Sequence, residues 1–154
     1  MFDWAALVQT FGYLGVFLSS FASSASVIFP VPGFVVTVSA GAFLNPFLVG
    51  LVSGIGSGLG EATGYGVGWV GSKAVKKLKK DRFFRVAEEW FQKNRGFLII
   101  FIFAATPLPD DIIGILCGLM KYPFRKFLVA SILGKTALGL LLAFAGSYGY
   151  SFFS

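Results

Sequence analysis

The side chains able to do acid–base or nucleophilic chemistry are few in this chain, which has seven acidic residues, one cysteine and no histidine. Without histidine it lacks imidazole metal ligands, imidazole proton relays and the triads that need such a base. One cysteine, Cys117, excludes an intrachain disulfide framework and Cys-x-x-Cys metal or redox sites. We therefore expect that the protein is not an enzyme and has no metal site and no cofactor. The candidate functional residues are the acidic side chains that lie within apolar stretches.

Asp110 and Asp111 follow a Pro-Leu-Pro turn inside an apolar stretch. A carboxylate at membrane depth is costly and usually faces a wet cavity or a transport path. One interpretation is that either acid carries a proton during transport. The other is that Asp110 only caps the half-helix that starts near Ile112.

Glu61 and Lys135 are single charges within two other apolar segments. A shift of the chain by 77 residues places Lys135 opposite Gly58, one helical turn from Glu61. Helices related by this shift would bring the two charges together, as an internal ion pair or as a gating or proton-relay site. Tyr65 lies one turn beyond Glu61 and either hydrogen-bonds into the same site or is plain packing.

The elements that position these residues must lie in a membrane, because 56% of the chain is hydrophobic, 13% is charged and the mean hydropathy is +0.79. A soluble fold of this length cannot bury so much apolar surface. Residues 4–22, 47–72 and 127–150 are each long enough to cross a bilayer core of about 30 Å. These spans predict a multi-pass protein of the cell membrane. No GxxxxGK[ST] run is present, so we expect that it has no nucleotide motor.

Two Pro-x-Pro elements interrupt the remaining apolar stretches, at Pro30, Pro32 and Gly33 and at Pro107 and Pro109. Each pair of prolines removes two N–H donors and disfavours helical geometry in the preceding residue, so a helix must break there. The chain then either turns back as a re-entrant hairpin or crosses as a broken helix.

The two breaks are related by an internal repeat. Sliding the chain by 77 residues, half its length, aligns a set of identical residues, with both Pro-x-Pro pairs among them. Duplicated halves with paired broken segments are typical of inverted-repeat transporters that bind their substrate near the midplane. We therefore predict an all-α integral membrane protein with one membrane domain, 1–154, divided into repeat 1 (1–72), a basic amphipathic linker (73–95) and repeat 2 (96–154).

The linker carries nine basic and three acidic residues, which accounts for the net charge of +6. Short basic loops beside apolar segments stay in the cytoplasm, so we expect residues 73–95 to be cytoplasmic and their amphipathic helix to lie on anionic lipid. Lys73, Lys76 and Lys77 would gather such lipids at the cytoplasmic mouth, or would only set the topology as a solvated loop. The flanking apolar segments argue against nucleic acid as a partner.

Lys121, Arg125 and Lys126 distinguish the two possible forms of the second break. If both breaks are re-entrant hairpins that enter from opposite sides, these three residues are cytoplasmic as well. A broken crossing helix would put them outside, against the positive-inside rule. We therefore favour hairpins.

Gly56, Gly60, Gly64 and Gly68 form a stripe of small residues along one helix face. Such a stripe allows close helix packing, either within the chain or between two copies in a homodimer.

Three blocks of the chain resemble the DedA family, the bacterial and archaeal branch of the VTT-domain membrane proteins. They are Phe-Pro-Val-Pro-Gly at 29–33, Gly60-Glu61-x-x-Gly64-Tyr65-x-x-Gly68-x-x-Gly71, and Pro107-Leu108-Pro109-Asp110-Asp111 followed by Gly118, Met120 and Phe127. Three arginines expected from the family pattern are missing here. Trp69 stands in place of one, an alanine at or near Ala104 in place of another, and Asp110 lies near the place of the third.

The resemblance implies two opposed re-entrant hairpins that meet in the membrane, and movement of lipids between leaflets. We expect a lipid translocase or scramblase for a phosphate-headed lipid, either a phospholipid or a polyprenyl phosphate, with membrane lipids as its partners. Two alternatives stay open: a proton-coupled transporter of a small solute or ion, and a non-transporting membrane assembly factor.

Overall fold

The computed structural model describes residues 12–25, 33–74, 81–91, 95–106 and 111–153, and every regular element in these ranges is an α-helix. In chain order the helices are α1 Tyr13–Ala25, α2 Gly33–Phe43, α3 Pro46–Gly60, α4 Ala62–Ala74, α5 Arg82–Phe91, α6 Arg95–Ala105, α7 Asp111–Leu119 and α8 Phe124–Phe153. The predicted all-α class is confirmed for this part of the chain.

α3 and α4 are two parts of one nearly continuous helix. Glu61 between them keeps helical dihedral angles, φ −60° and ψ −22°. Its N–H donates to the carbonyl oxygen of Ser57 at 3.1 Å, and its own carbonyl accepts from the N–H of Tyr65 at 3.2 Å. The hydrogen-bond ladder of an α-helix therefore continues through the junction, and the combined element spans Pro46 to Ala74.

The residues at the start of α3 determine where this long helix begins. Pro46 occupies a first-turn position, where its missing N–H is no loss. The side chain of Asn45 accepts hydrogen bonds from the N–H groups of Phe47 and Leu48, which lack partners within the helix. α8 begins directly after Pro123, and among the described helices it is the one that is long and apolar enough by itself to cross a membrane.

α3 and α8 cross closely because glycine lines the contact. The glycines of α3 and the α8 residues they face are, in order, Gly50 with Leu140, Gly54 with Thr136 and Gly58 with Ile132. The numbers rise on one helix as they fall on the other, so the two helices are antiparallel. A Cβ on Gly58 would lie 2.7 Å from the Cα of Ile132, which is closer than real side chains approach. Small residues thus bring the helices of the predicted spans 47–72 and 127–150 together.

α1 and α2 form a pair in which the start of the first helix lies near the end of the second. The N–H of Asn45, just after α2, donates to the hydroxyl of Tyr13, which begins α1, at 3.3 Å. At the opposite end of the bundle the start of α6 likewise lies near the end of α7, although these two helices pack on α8 and α4 rather than on each other. There, a Cβ on Gly96 in α6 would lie 2.8 Å from the ring of Tyr122, which follows α7. We call α1 with α2 the first helix pair and α6 with α7 the second helix pair.

The predicted crossing over residues 4–22 lies only partly within the described residues. Among the described residues, the helix there runs from Tyr13 to Ala25. Its 13 residues give roughly 20 Å of helix, which is too short for a bilayer core of about 30 Å. This helix packs on α2 and α3, so it is one arm of the first helix pair. Residues 4–11 lie outside the described residues.

The second helix of each pair packs on the long helix of the other half. α2 lies against α8 and α7 lies against α4, whereas α1 packs on α3 and α6 packs on α8. Gly41 in α2 approaches the backbone of Ala143, and Gly118 in α7 approaches the backbone of Tyr65. The two halves of the chain therefore hold each other through equivalent contacts.

α5 is the amphipathic helix predicted in the linker, and it packs on α6. Phe84 and Phe91 are buried, and the ring of Phe91 lies 6.0 Å from that of Tyr122 in an edge-on contact. Val86 and Trp90 are 43% and 59% exposed. Part of the predicted apolar face thus packs on the bundle, and the rest is exposed.

Candidate functional site

Glu61 and Lys135 form an ion pair inside the bundle. Nζ of Lys135 lies 3.6 Å from Oε1 of Glu61, and the two side chains are 8% and 4% exposed. The pairing predicted from the internal repeat is confirmed. A buried charge of this kind requires a partner, because removing one member of such a pair costs about 3–5 kcal/mol.

The backbone beside the ion pair contacts both helix pairs. Gly60, next to Glu61, lies against Phe21 in α1, whose carbonyl oxygen would be 2.6 Å from a Cβ at Gly60. Gly134, next to Lys135, lies against Phe101 in α6, whose carbonyl oxygen would also be 2.6 Å away. The pair is therefore enclosed by protein. Within the described ranges, no group of three or more cysteine or carboxylate side chains could hold a metal ion.

Asp111 begins α7 beside the helical turn that carries Glu61. The carbonyl oxygen of Asp111 lies 3.7 Å from where a Cβ on Gly64 would be, and the carbonyl oxygen of Glu61 lies 3.7 Å from the same point on Gly114. A carboxylate in the first turn of a helix interacts favourably with the helix dipole. The other predicted site residues of this break lie outside the described residues: Pro107, Pro109 and Asp110.

Tyr65 contributes to packing in this structure. Its hydroxyl donates to the backbone carbonyl of Tyr122. Its ring centre lies 5.2 Å from those of Phe124 and Phe127. Because the hydroxyl gives its single proton to the carbonyl of Tyr122, it does not donate to Glu61. Of the two predicted roles of Tyr65, the structure therefore shows packing.

A cluster of hydroxyl groups lies beside the first break, and the sequence analysis missed it. Ser20 Oγ donates to Ser53 Oγ at 3.1 Å. Ser53 Oγ lies 2.9 Å from Thr37 Oγ1, which donates to the carbonyl oxygen of Gly33 at 3.0 Å. Ser19 is 3% exposed, and its hydroxyl has no hydrogen-bond partner in the part of the chain that the structure describes. We call Ser19, Ser20, Thr37 and Ser53 the hydroxyl cluster.

Gly33 begins α2 where this helix meets α1. A Cβ on Gly33 would lie 2.7 Å from both Cβ and Oγ of Ser23, and 4.0 Å from the carbonyl oxygen of Ser19. Only glycine permits this approach. The first turn of α2 therefore lies against the turns of α1 that carry Ser19 and Ser23. Pro30 and Pro32 lie outside the described residues.

The glycine stripe is used within the chain. A Cβ on Gly56 or Gly60 would lie 2.7 Å or 2.6 Å from a carbonyl oxygen of α1. Gly68 approaches the backbone of Ile115 in α7 as closely, whereas a Cβ on Gly64 would make an ordinary contact with α7, 3.7 Å from the carbonyl oxygen of Asp111. The intramolecular alternative for this stripe is what the structure shows.

The turn between α7 and α8 carries its basic residues to the end of the bundle where α4 finishes. Lys121 has φ 56°, and its Nζ lies 5.4 Å from the centre of the Trp69 ring, a cation–π contact. N–H groups of Lys121 and Tyr122 close the turn on the carbonyls of Gly118 and Cys117.

The remaining described basic residues near this turn are exposed. Lys73 lies in the last turn of α4, and Arg125 and Lys126 lie in the first turn of α8. These residues and Lys121 are therefore at the same end of the bundle. Lys76 and Lys77 lie outside the described residues.

Comparison with known proteins gives a family match over most of the chain. The family model of the VTT domain matches residues 31–148, from the first break to near the end of α8. An uncharacterized protein of Methanocaldococcus jannaschii is 29% identical over 132 residues, which are 84% of this chain and 80% of that protein. No solved structure matches the chain.

Proposed function

The chain belongs to the VTT-domain family of membrane proteins, and from that premise we propose that it moves a phosphate-headed lipid between the two leaflets of a membrane. The family match supports a membrane protein associated with lipid transport. That the transported lipid is a phospholipid or a polyprenyl phosphate, and that no covalent chemistry takes place, is our proposal.

The short helix pairs support this proposal. α2 has 11 residues and α7 has 9, which is roughly 14–16 Å of helix and half of a bilayer core of about 30 Å. Since each pair starts and ends at one end of the bundle, the two pairs act as re-entrant hairpins that enter the membrane from opposite sides. Together with the long helices they form two inverted repeats, which thin the apolar barrier where the hairpins meet.

The observation that carries the proposal is that each helix pair ends inside the bundle on buried polar side chains. The hydroxyl cluster lies where α2 begins, and the Glu61–Lys135 pair lies where α7 begins. Polar groups at these two points lower the desolvation cost that keeps a charged head group in its own leaflet. A head group passing between the hairpin tips meets the hydroxyls first from one side and the charges first from the other.

The membrane orientation follows from charge. Lys73, Lys121, Arg125 and Lys126 share one end of the bundle, and we propose that this end is cytoplasmic by the positive-inside rule. The second hairpin then opens to the cytoplasm and the first hairpin opens to the outside.

Leaflet exchange in reconstituted vesicles tests the proposal. Vesicles carry a tail-labelled fluorescent phosphatidylglycerol in both leaflets, and dithionite added outside bleaches only the label that it reaches. Empty vesicles should lose about half of their fluorescence, whereas vesicles that contain the protein should lose nearly all of it. Loss limited to half with the wild-type protein would reject lipid exchange.

A proton-coupled carrier is the second candidate, and the buried Glu61–Lys135 pair favours it because a carboxylate that alternates between partners can carry a proton. The same vesicles loaded with a pH dye separate the two candidates. A proton flux that Glu61→Gln abolishes, without exchange of the labelled lipid, would favour the carrier.

A further inference from the structure

The hydroxyl cluster is a directed chain of hydrogen bonds that ends on the backbone. Thr37 gives its only hydroxyl proton to the carbonyl of Gly33, so it accepts from Ser53, and Ser53 accepts from Ser20. Three helices, α1, α2 and α3, each supply at least one member. These three hydroxyls are satisfied as donors, and the chain links the three helices.

Ser19 is the member that this chain does not use. It is 3% exposed, and within the described part of the chain its hydroxyl neither donates nor accepts a hydrogen bond. A serine in a helix can give its proton to a carbonyl of the preceding turn, but Ser19 does not do so. A buried hydroxyl without a partner destabilises the empty protein by about 1–3 kcal/mol. Such a donor therefore points to an acceptor that arrives from outside.

The neighbourhood of Ser19 selects an anionic acceptor. The turns of α1 that carry Ser19 and Ser23 lie against the first turn of α2: a Cβ on Gly33 would lie 2.7 Å from the Ser23 side chain and 4.0 Å from the backbone carbonyl oxygen of Ser19. The first N–H groups of α2 have no partners within that helix, and its dipole favours negative charge there. No described acidic side chain lies on α1 or α2. The N–H groups can only donate, and the Ser19 hydroxyl has an unused proton, so both can donate to an oxygen such as that of a phosphate.

We infer that Ser19 donates a hydrogen bond to the phosphate of the transported lipid, next to the N-terminus of α2. This inference rests on the proposed function and adds how the head group is recognised. The phosphate is bound by neutral donors, the Ser19 hydroxyl and the N–H groups of α2, in place of a cationic side chain. These donors can bind the phosphate of any phospholipid, whatever the rest of its head group. An ordered water is the other acceptor that a single hydroxyl can find, and the experiment separates the two.

The test compares two soluble lipids that differ by the phosphate. Thermal unfolding of the full chain in detergent is followed with dihexanoyl phosphatidic acid and with dihexanoylglycerol, for the wild type and Ser19→Ala. We expect phosphatidic acid to raise the wild-type melting temperature more than dihexanoylglycerol does, because a ligand that binds only the folded protein stabilises it. Ser19→Ala should bind phosphatidic acid on the order of tenfold more weakly.

The lipid-free proteins give the second readout. Ser19→Ala should melt at the wild-type temperature or above it, because the change removes an unsatisfied hydroxyl. Ser72→Ala is the matched control: Ser72 is equally buried, its hydroxyl donates to the carbonyl of Trp69 at 2.6 Å, and it lies far along the chain in α4. This variant should melt lower than the wild type and bind phosphatidic acid as the wild type does.

Two results would overturn the inference. One is a wild-type protein that does not distinguish phosphatidic acid from dihexanoylglycerol. The other is Ser19→Ala with wild-type affinity for phosphatidic acid, and a lower melting temperature without lipid would then identify a bound water. Lipid exchange in vesicles is a separate measurement. If the wild-type protein exchanges lipid but Ser19→Ala binds phosphatidic acid as the wild type does, only this inference is rejected. If the wild-type protein binds phosphatidic acid through its phosphate but exchanges no lipid, only the proposed function is rejected.

Discussion

Glu61 and Lys135 neutralise each other in the interior, where each side chain is less than a tenth exposed. The attraction between two buried charges and the penalty for taking them out of water are both large and nearly cancel. The pair therefore adds little stability over two apolar side chains, whereas either charge alone is strongly unfavourable. This asymmetry allows a structural pair to be told apart from a pair used in transport.

Glu61→Gln should lower the free energy of unfolding by about 3–5 kcal/mol, because it leaves Lys135 buried and unpaired. The double variant Glu61→Gln with Lys135→Met should regain most of that loss, as measured by denaturant unfolding in detergent. If the double variant is stable but exchanges no lipid, the pair acts in transport. Exchange at the wild-type rate would make the pair purely structural, and a fully stable Glu61→Gln would contradict its burial.

At this scale the sequence predicts charges better than hydroxyls. Charged residues are rare in apolar segments, and the repeat shift brings Glu61 and Lys135 within a helical turn, so their pairing could be predicted. Serine and threonine occur on lipid-facing and internal helix faces alike, so only the packing of α1 on α3 brings Ser20 to Ser53. The sequence alone likewise could not choose between the two roles of Tyr65, because its partner Tyr122 is distant in the chain.

Glycine determines how closely the helices of this bundle approach. α4 carries glycines on two faces that differ in their surroundings. A Cβ on Gly68 would meet the backbone of Ile115 and lie 3.0 Å from the Cα of Gly118, whereas a Cβ on Gly66 would have nothing within 4 Å. Substitution at the two positions therefore has opposite consequences, although both lie in the same helix.

Gly66→Ala should raise the free energy of unfolding by up to about 1 kcal/mol, because alanine favours the helix and meets no neighbour. Gly68→Ala should lower it by about 1–3 kcal/mol, because α7 must move away from α4. Thermal unfolding of the two variants beside the wild type measures both changes. Equal shifts of the same sign would contradict the close α4–α7 contact.

The long helices were predictable and the first short helix was not. Residues 46–74 and 124–153 contain the predicted spans because one helix begins at Pro46, the other begins directly after Pro123, and both stay apolar for more than one bilayer thickness. A hydropathy window gives the same value for a crossing helix and for one arm of a hairpin. The extent of α1 therefore depends on where the chain packs, which a hydropathy window does not show.

On the scale of the whole molecule, charge is distributed along the bundle axis. The described basic side chains of α4, α5 and the α7–α8 turn collect at one end. The opposite end, where Tyr13, Asn45 and Tyr150 lie, has no described charged side chain. The positive-inside rule therefore predicts the proposed orientation, with the basic end in the cytoplasm.

Cysteine labelling should confirm that orientation. In a Cys117→Ala background, Arg125→Cys and Lys73→Cys should react with a membrane-impermeant maleimide from the cytoplasmic face alone. Asn45→Cys should react from the other face alone. Spheroplasts and inverted vesicles, labelled in parallel, provide the two faces. Labelling of Arg125→Cys and Asn45→Cys from one face would mean that the second helix pair crosses the membrane.

The exchange of contacts between the halves has a consequence for biosynthesis. α2 closes on α8, and α8 is the last of the described helices to leave the ribosome. Until Ala143 has been inserted, the glycine face of α2 at Gly41 has no protein surface to cover it. We therefore expect the first half to remain an unfinished intermediate until α8 is inserted, and we expect membrane proteases to degrade nascent chains that stop before α8.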